Sequence, residues 1–125
     1  MAGADEIFDL AADFGKASGK VAKALFEVYA ESGDAFAEDW ADNARETSGE
    51  HGKHYPNSIT SETRISLGIH VETGPDSSMK QGSMGRGFEF GSQNQPPHLD
   101  GLRALPIAEK RLERGADAAI GFLLP

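Results

Sequence analysis

A single apolar stripe runs through the first 47 residues and fixes most of what this chain can become. Ile7, Leu10 and Phe14 recur at spacings of three and four, and Val21, Leu25, Val28, Tyr29, Ser32, Phe36 and Trp40 carry the same period forward. That spacing predicts helix from about Asp5 to Thr47, with one face to bury and Phe36 and Trp40 as its bulkiest anchors. Gly15 and Gly19 each cost roughly 1 kcal/mol inside a helix. The expected division is therefore a short helix or arm over residues 1–16 and a long helix over residues 17–47, capped by Ser18. Ser32 and Gly33 form a second weak point, but the stripe keeps its phase across them, which predicts continuity or a mild kink.

Small and polar residues from Thr47 to Gly52 end the helix, and the pattern then becomes extended. Ile65, Leu67, Ile69 and Val71 alternate with Ser66, Gly68, His70 and Glu72, so one face of a sheet is buried, with a bend possible at 66–68. Asn57 to Arg64 reads equally as a preceding strand or a short turn of helix. Gly74 to Gly87 holds only Met79 and Met84 among Gly, Ser, Pro and charged residues and reads as a long exposed loop. Phe88 and Phe90 flank Glu89 as in a short strand, giving a sheet region over 58–92. A last helix fits 102–123, with Leu105, Ala108, Leu112, Ala116, Ile120 and Leu123 as its stripe, Pro106 in its first turn and Asp100 as its N-cap. The expected class is α+β: a single domain over 1–125 in which a long N-terminal helix and a C-terminal helix pack on a small, mainly antiparallel sheet with a long exposed loop.

Charge narrows the partners. The formal net charge is -8, and it lies entirely in residues 1–50, where twelve acids face four bases. Residues 51–125 are balanced, with eight of each. Such a surface repels phosphate backbones and disfavours ordinary nucleic-acid binding. The chain has no cysteine, which excludes disulfides, thiolate metal sites and a thiol nucleophile. No run reaches the roughly 18–20 apolar residues of a membrane helix, and Asp5, Glu6 and Asp9 stand where a signal peptide carries basic charge.

Chemistry-bearing patterns are sparse. His51, His54 and His98 with Asp100 can be drawn as a metal site, the basis of an alternative reading as a small metal-dependent hydrolase. Gly82 to Gly87 lacks the Lys and the following helix of a phosphate-binding loop. Ser58, Ser61 and Ser66 show no nucleophile-elbow pattern. Glu38 and Asp39 are adjacent helix positions that face different ways, which suits solvation better than acid–base work.

One family pattern does emerge. His54-Tyr55-Pro56-Asn57-Ser58-Ile59, then Glu72-Thr73-Gly74-Pro75-Asp76, Gln81-Gly82, Phe88-Glu89-Phe90-Gly91-Ser92, Pro96-Pro97-His98 and Arg103-Ala104-Leu105 follow the long helix in order. In this the chain resembles the tail-completion (neck) family of long-tailed bacteriophages, the lambda-type minor tail proteins. The likeness covers nearly the whole chain and is strongest from His54 to Leu105, with Glu89-Phe90-Gly91-Ser92 its most specific element.

The resemblance implies a non-enzymatic structural virion protein at the head-to-tail junction, with no cofactor, metal or active site. It implies a homo-oligomeric ring, a hexamer by expectation, built in the host cytoplasm and placed between neighbouring neck or connector proteins and the tail tube or tail terminator. A tail-terminator or head-closure ring at the same junction is the nearest alternative. Such a ring passes DNA without specific binding and has no membrane contact. On this reading Glu38, Asp39 and Asp42 are candidates for an acidic lumen face, and Met79, Lys80, Met84 and Arg86 for subunit or partner contacts through a loop that orders on assembly. Glu89 and Phe90 are expected to hold the fold.

Overall fold

A computed structural model describes the backbone of residues 2–65, 68–92 and 96–123, and side chains from residue 19 to residue 122 within those ranges. Helix α1 spans Ala2–Thr47, strand β1 Ile59–Ile65, strand β2 Ile69–Pro75, the short helix α2 Gly85–Phe90 and helix α3 Asp100–Leu123. Two 3-10 turns, Pro56–Ser58 and Gly82–Met84, precede β1 and α2. The expected α+β class holds, with long helices at both ends and one antiparallel hairpin between them.

Helix α1 is continuous over 46 residues, roughly 70 Å at 1.5 Å per residue, so the division into 1–16 and 17–47 does not occur. The glycine penalties are offset by strong helix formers on both sides, including Ala11, Ala12, Lys16, Ala17, Ala22, Lys23 and Ala24. Ser18 therefore lies inside the helix rather than at a cap, and its side chain is outside the described set.

The antiparallel partner of α1 is α3. Asn43 Nδ2 donates to the Asp100 carbonyl at 2.9 Å, and further along Arg111 Nη2 donates to Asp39 at 3.1 Å. Small residues allow the close approach: Ala37, Ala41 and Ala44 of α1 and Ala104 and Ala108 of α3 are buried. A Cβ at Gly101 would sit 2.6 Å from the Trp40 ring, so that position requires glycine.

In the hairpin Ser61 pairs with Thr73 and Thr63 with Val71, and these positions alternate inward against α1 with Thr60, Glu62, His70 and Glu72 outside. Ile65 and Ile69, expected to alternate along one buried face, instead sit opposite each other on β1 and β2, and Ile65 is exposed at the hairpin tip; Leu67 and the Ser66 part of the anticipated bend lie outside the described residues. The ambiguous 57–64 stretch is both things in turn, a 3-10 turn and then strand.

The third strand expected at Phe88–Phe90 is instead helix α2, so the sheet ends at Pro75 rather than extending over 58–92. In a helix residues two apart face opposite ways. Phe88 is accordingly buried, Phe90 is 66% exposed, and the chain leaves through Gly91 at φ 88°. Phe88 stacks on Tyr55 with ring centroids 4.5 Å apart, closing a core of Ala37, Ala41, Ala44, Tyr55, Ile59 and Phe88, with Trp40 packed against it.

Candidate functional site

The motif residues meet at the start of α3. Leu99 takes a left-handed conformation, φ 56°, and its carbonyl accepts the first helical bond from the Arg103 N–H. The N–H groups of Gly101 and Leu102 need acceptors from elsewhere. Glu89 of α2 supplies them: Oε1 accepts from Gly101 at 2.8 Å and Oε2 from Leu102 at 2.9 Å. A buried carboxylate thus caps a helix twelve residues downstream, at the positive end of its dipole. The cap expected of Asp100 is made by Glu89 instead.

Asp100 serves a different joint. Fully buried, it accepts from Thr47 Oγ1 at 2.8 Å and from Arg103 Nη2 at 2.9 Å, tying the end of α1 to the start of α3. His98 stacks on Phe88 at 5.8 Å, and its backbone N–H donates to the Phe88 carbonyl. Glu89 therefore holds the fold as expected, whereas exposed Phe90 does not.

Beside this node the Tyr55 hydroxyl and the Trp40 indole Nε1 are buried and complete no hydrogen bond among the described residues. Burial pushes the Tyr55 hydroxyl up to about 12; the nearby Trp40 N–H opposes this and the Glu89 and Asp100 charges reinforce it. An acid with a raised folded value stabilises the fold fully below its unfolded value near 10, and the contribution disappears as pH rises from 10 to 12. Tyr55→Phe removes a hydroxyl that has no partner, so stability at pH 8 is expected to change by less than about 0.5 kcal/mol or to rise. Urea midpoints at pH 8 and pH 11 check this: the variant should lose the alkaline decline that this group gives the parent. A large loss at pH 8 would mean that the hydroxyl is bonded after all.

Around the node lies an apolar hollow. It has a volume of about 290 Å³ and is walled by Phe36, Trp40, Pro75, Phe90, Leu102 and Leu105, with Arg86 at its rim. A second hollow of about 170 Å³, walled by Tyr29, Val71 and Leu112, shares Phe36 and Leu105 with the first. Together they form one trough between α1, α3 and the hairpin. Phe90 and Leu102 stand 66% and 53% exposed on its edge, and Ile107 is exposed nearby along α3. Sequence reasoning missed this trough because its walls come from four separate elements and because Phe90 read as a strand residue.

The 74–87 segment is tied down within the chain rather than waiting to order on assembly. Asp76 donates its N–H to the Ser58 carbonyl, and its carboxylate accepts from the Ser78 N–H and hydroxyl, which hold that carboxyl below its usual range. Gln81 bridges the preceding loop, donating to the His51 carbonyl and accepting from the His54 N–H, both at 2.7 Å. Met79, Lys80, Met84 and Arg86 nonetheless point to solvent, with Arg86 alone of the four at the trough.

The acidic candidates divide. Glu38 and Asp42 are exposed and belong to a stripe of Glu27, Glu31, Asp34, Glu38, Asp42 and Glu46, roughly 28 Å long, on the side of α1 away from the core. Asp42 also meets Arg45 at 2.5 Å, an exposed pair of small energetic weight. Asp39 turns toward α3 and pairs with Arg111, so its part is to hold the helices together rather than to face a lumen. The histidines do not converge: His51 is exposed, His54 half-buried, and His98 has Nδ1 3.9 Å from Asp100. Among the described residues no three His, Asp or Glu side chains group closely enough to hold a metal ion, and no helix is long and apolar enough to cross a membrane. Comparisons with family models, with curated proteins and with solved structures find no match to this chain.

Proposed function

We propose that this chain is a structural ring subunit of a phage head-to-tail junction, completing or capping the tail and helping to join it to the head. The observation that carries the reading is the two-sided character of the α1–α3 pair. One side leaves an open apolar trough with exposed Phe90 and Leu102, and the other presents an acidic stripe free of core contacts. A ring subunit around a DNA channel needs both, a surface to bury against its neighbour and a surface that does not hold a polyanion.

The motif residues add support. Glu89 and Asp100 spend their carboxylates, and Tyr55, Phe88 and His98 their rings, on holding α1, α2 and α3 together. A signature consumed in this way belongs to a scaffold whose shape is its product. The position within the stack, as completion, terminator or closure ring, follows from which proteins the two ring faces meet.

The lumen assignment has its own test. Asp39 must be spared, because reversing it sets a cation against Arg111. The triple reversal Asp34→Lys, Glu38→Lys and Asp42→Lys touches exposed positions only and should leave the melting temperature of the isolated chain within about 3 °C. In virions it should impair DNA retention or ejection. Full infectivity of the triple variant would remove the acidic stripe from the lumen.

A further inference from the structure

The hairpin leaves an edge of its sheet open. Helix α1 packs against both strands, and α3 lies on the β2 side, where Val71 and Thr73 share the trough with Leu105 and Leu112. Strand β1 has β2 along one edge and, among the described residues, no strand along the other. No backbone group of residues 60–65 bonds outside the hairpin among the described residues. The seven residues of β1 pair with β2 without a bulge and include neither proline nor lysine, the usual guards of an exposed edge. A two-stranded sheet is marginal by itself, and its free N–H and C=O groups are a template for a further strand.

The charges on β1 select the strand that fits. Glu62 and Arg64 are both exposed on the outer face. Within the chain Glu62 stands directly opposite Glu72, a like-charge pair, while Arg64 bonds to Glu72 across the diagonal. Glu62 is thus left against an acid, with no ion pair among the described residues. We infer that β1 of one copy pairs antiparallel with β1 of a second copy, about a two-fold axis at Thr63, to make one four-stranded sheet. In this register Glu62 of each copy lies opposite Arg64 of the other, which supplies the missing cation twice over. The neighbouring same-face registers, centred on Glu62 or on Arg64, set that residue against its own copy, like charge against like. Registers slid by a single residue turn one strand's inner face outward. Ile65, exposed at the hairpin tip, stands across from Ser61 of the second copy and gains cover. The contact is isologous and closes at two copies, so it stands or falls apart from the ring reading.

The absence of native cysteine makes the test clean. Directly opposed antiparallel residues have Cα atoms roughly 4.5–5.5 Å apart, within reach of a disulfide. Oxidised Thr63→Cys should therefore give a covalent dimer, and His70→Cys, exposed on β2, serves as the control that should give little. Glu62→Arg and Arg64→Glu, each alone, should weaken dimerisation about tenfold or more in sedimentation equilibrium, because two symmetry-related pairs turn repulsive. The double reversal should restore it. Parent protein that stays monomeric at every attainable concentration, cross-linking of Thr63→Cys no greater than the control, or single reversals that leave dimerisation unchanged would each overturn the pairing.

Discussion

Replacing Glu89 by alanine should lower the unfolding free energy by about 3–5 kcal/mol, and with it the melting temperature by roughly 10–15 °C. Two N–H groups at the start of α3 lose a charged acceptor, each such bond being worth roughly 1.5–3 kcal/mol, and the helix dipole loses its counter-charge. The site is buried, so water replaces the carboxylate poorly. Glu89→Gln retains one carbonyl acceptor and should lose about half as much. Thermal melts of the two variants check the ordering. Near-parental stability of Glu89→Ala would show that α3 does not depend on this cap. The effect reaches the apolar trough as well, because Leu102, whose N–H is one of the two, forms its edge.

Gly82→Ala is the second large effect. A Cβ at this position would lie 1.7 Å from the Asp76 carbonyl oxygen and 2.6 Å from its carbon, an overlap with backbone that no rotamer relieves. The 76–84 segment would have to move, and with it Gln81, which stitches that segment to His51 and His54. Overpacking typically costs 1–3 kcal/mol, and a backbone overlap belongs at the top of that range, about 3 kcal/mol. Ser83→Ala, one residue on and exposed, should change stability by less than about 0.5 kcal/mol. Urea denaturation of the pair gives the comparison. Equal midpoints would mean that the segment is as free as its composition suggests.

The two effects also mark where the sequence could be read and where it could not. The long helices were legible because period is a local property: Val21 to Trp40 and Leu105 to Ile120 keep one face apolar regardless of what covers it. The hairpin was legible only as extended chain: Ile69 and Val71 keep period two within β2, but the run from Ile65 to Val71 crosses from β1 into β2, and 57–64 read equally as strand or helical turn. Helix α2 was not, since three residues in which Phe88 and Phe90 bracket Glu89 satisfy a strand pattern as well as a helical one. What decides between them is tertiary, the Glu89 carboxylate reaching α3 and the Tyr55 ring receiving Phe88.

The order of the 74–87 loop was hidden because its restraint is a glutamine bond across 27 to 30 residues. The acid excess was plain from composition, but the partner of Asp39 lies 72 residues away, so its separation from Glu38 and Asp42 appeared only in the packed helices. The contact residues divide in the same manner: Arg86 adjoins the trough, while Phe90, read as a fold residue, and Leu102, given no role beyond starting the last helix, form its exposed edge.

Whether this chain joins heads to tails as a ring is tested most directly by electron microscopy of lysates from a phage lacking this gene, with the intact gene on a plasmid as control. The ring reading gives separate full heads and separate tails, restored to joined, infectious particles by the plasmid. Normal infectious particles without the gene would contradict it.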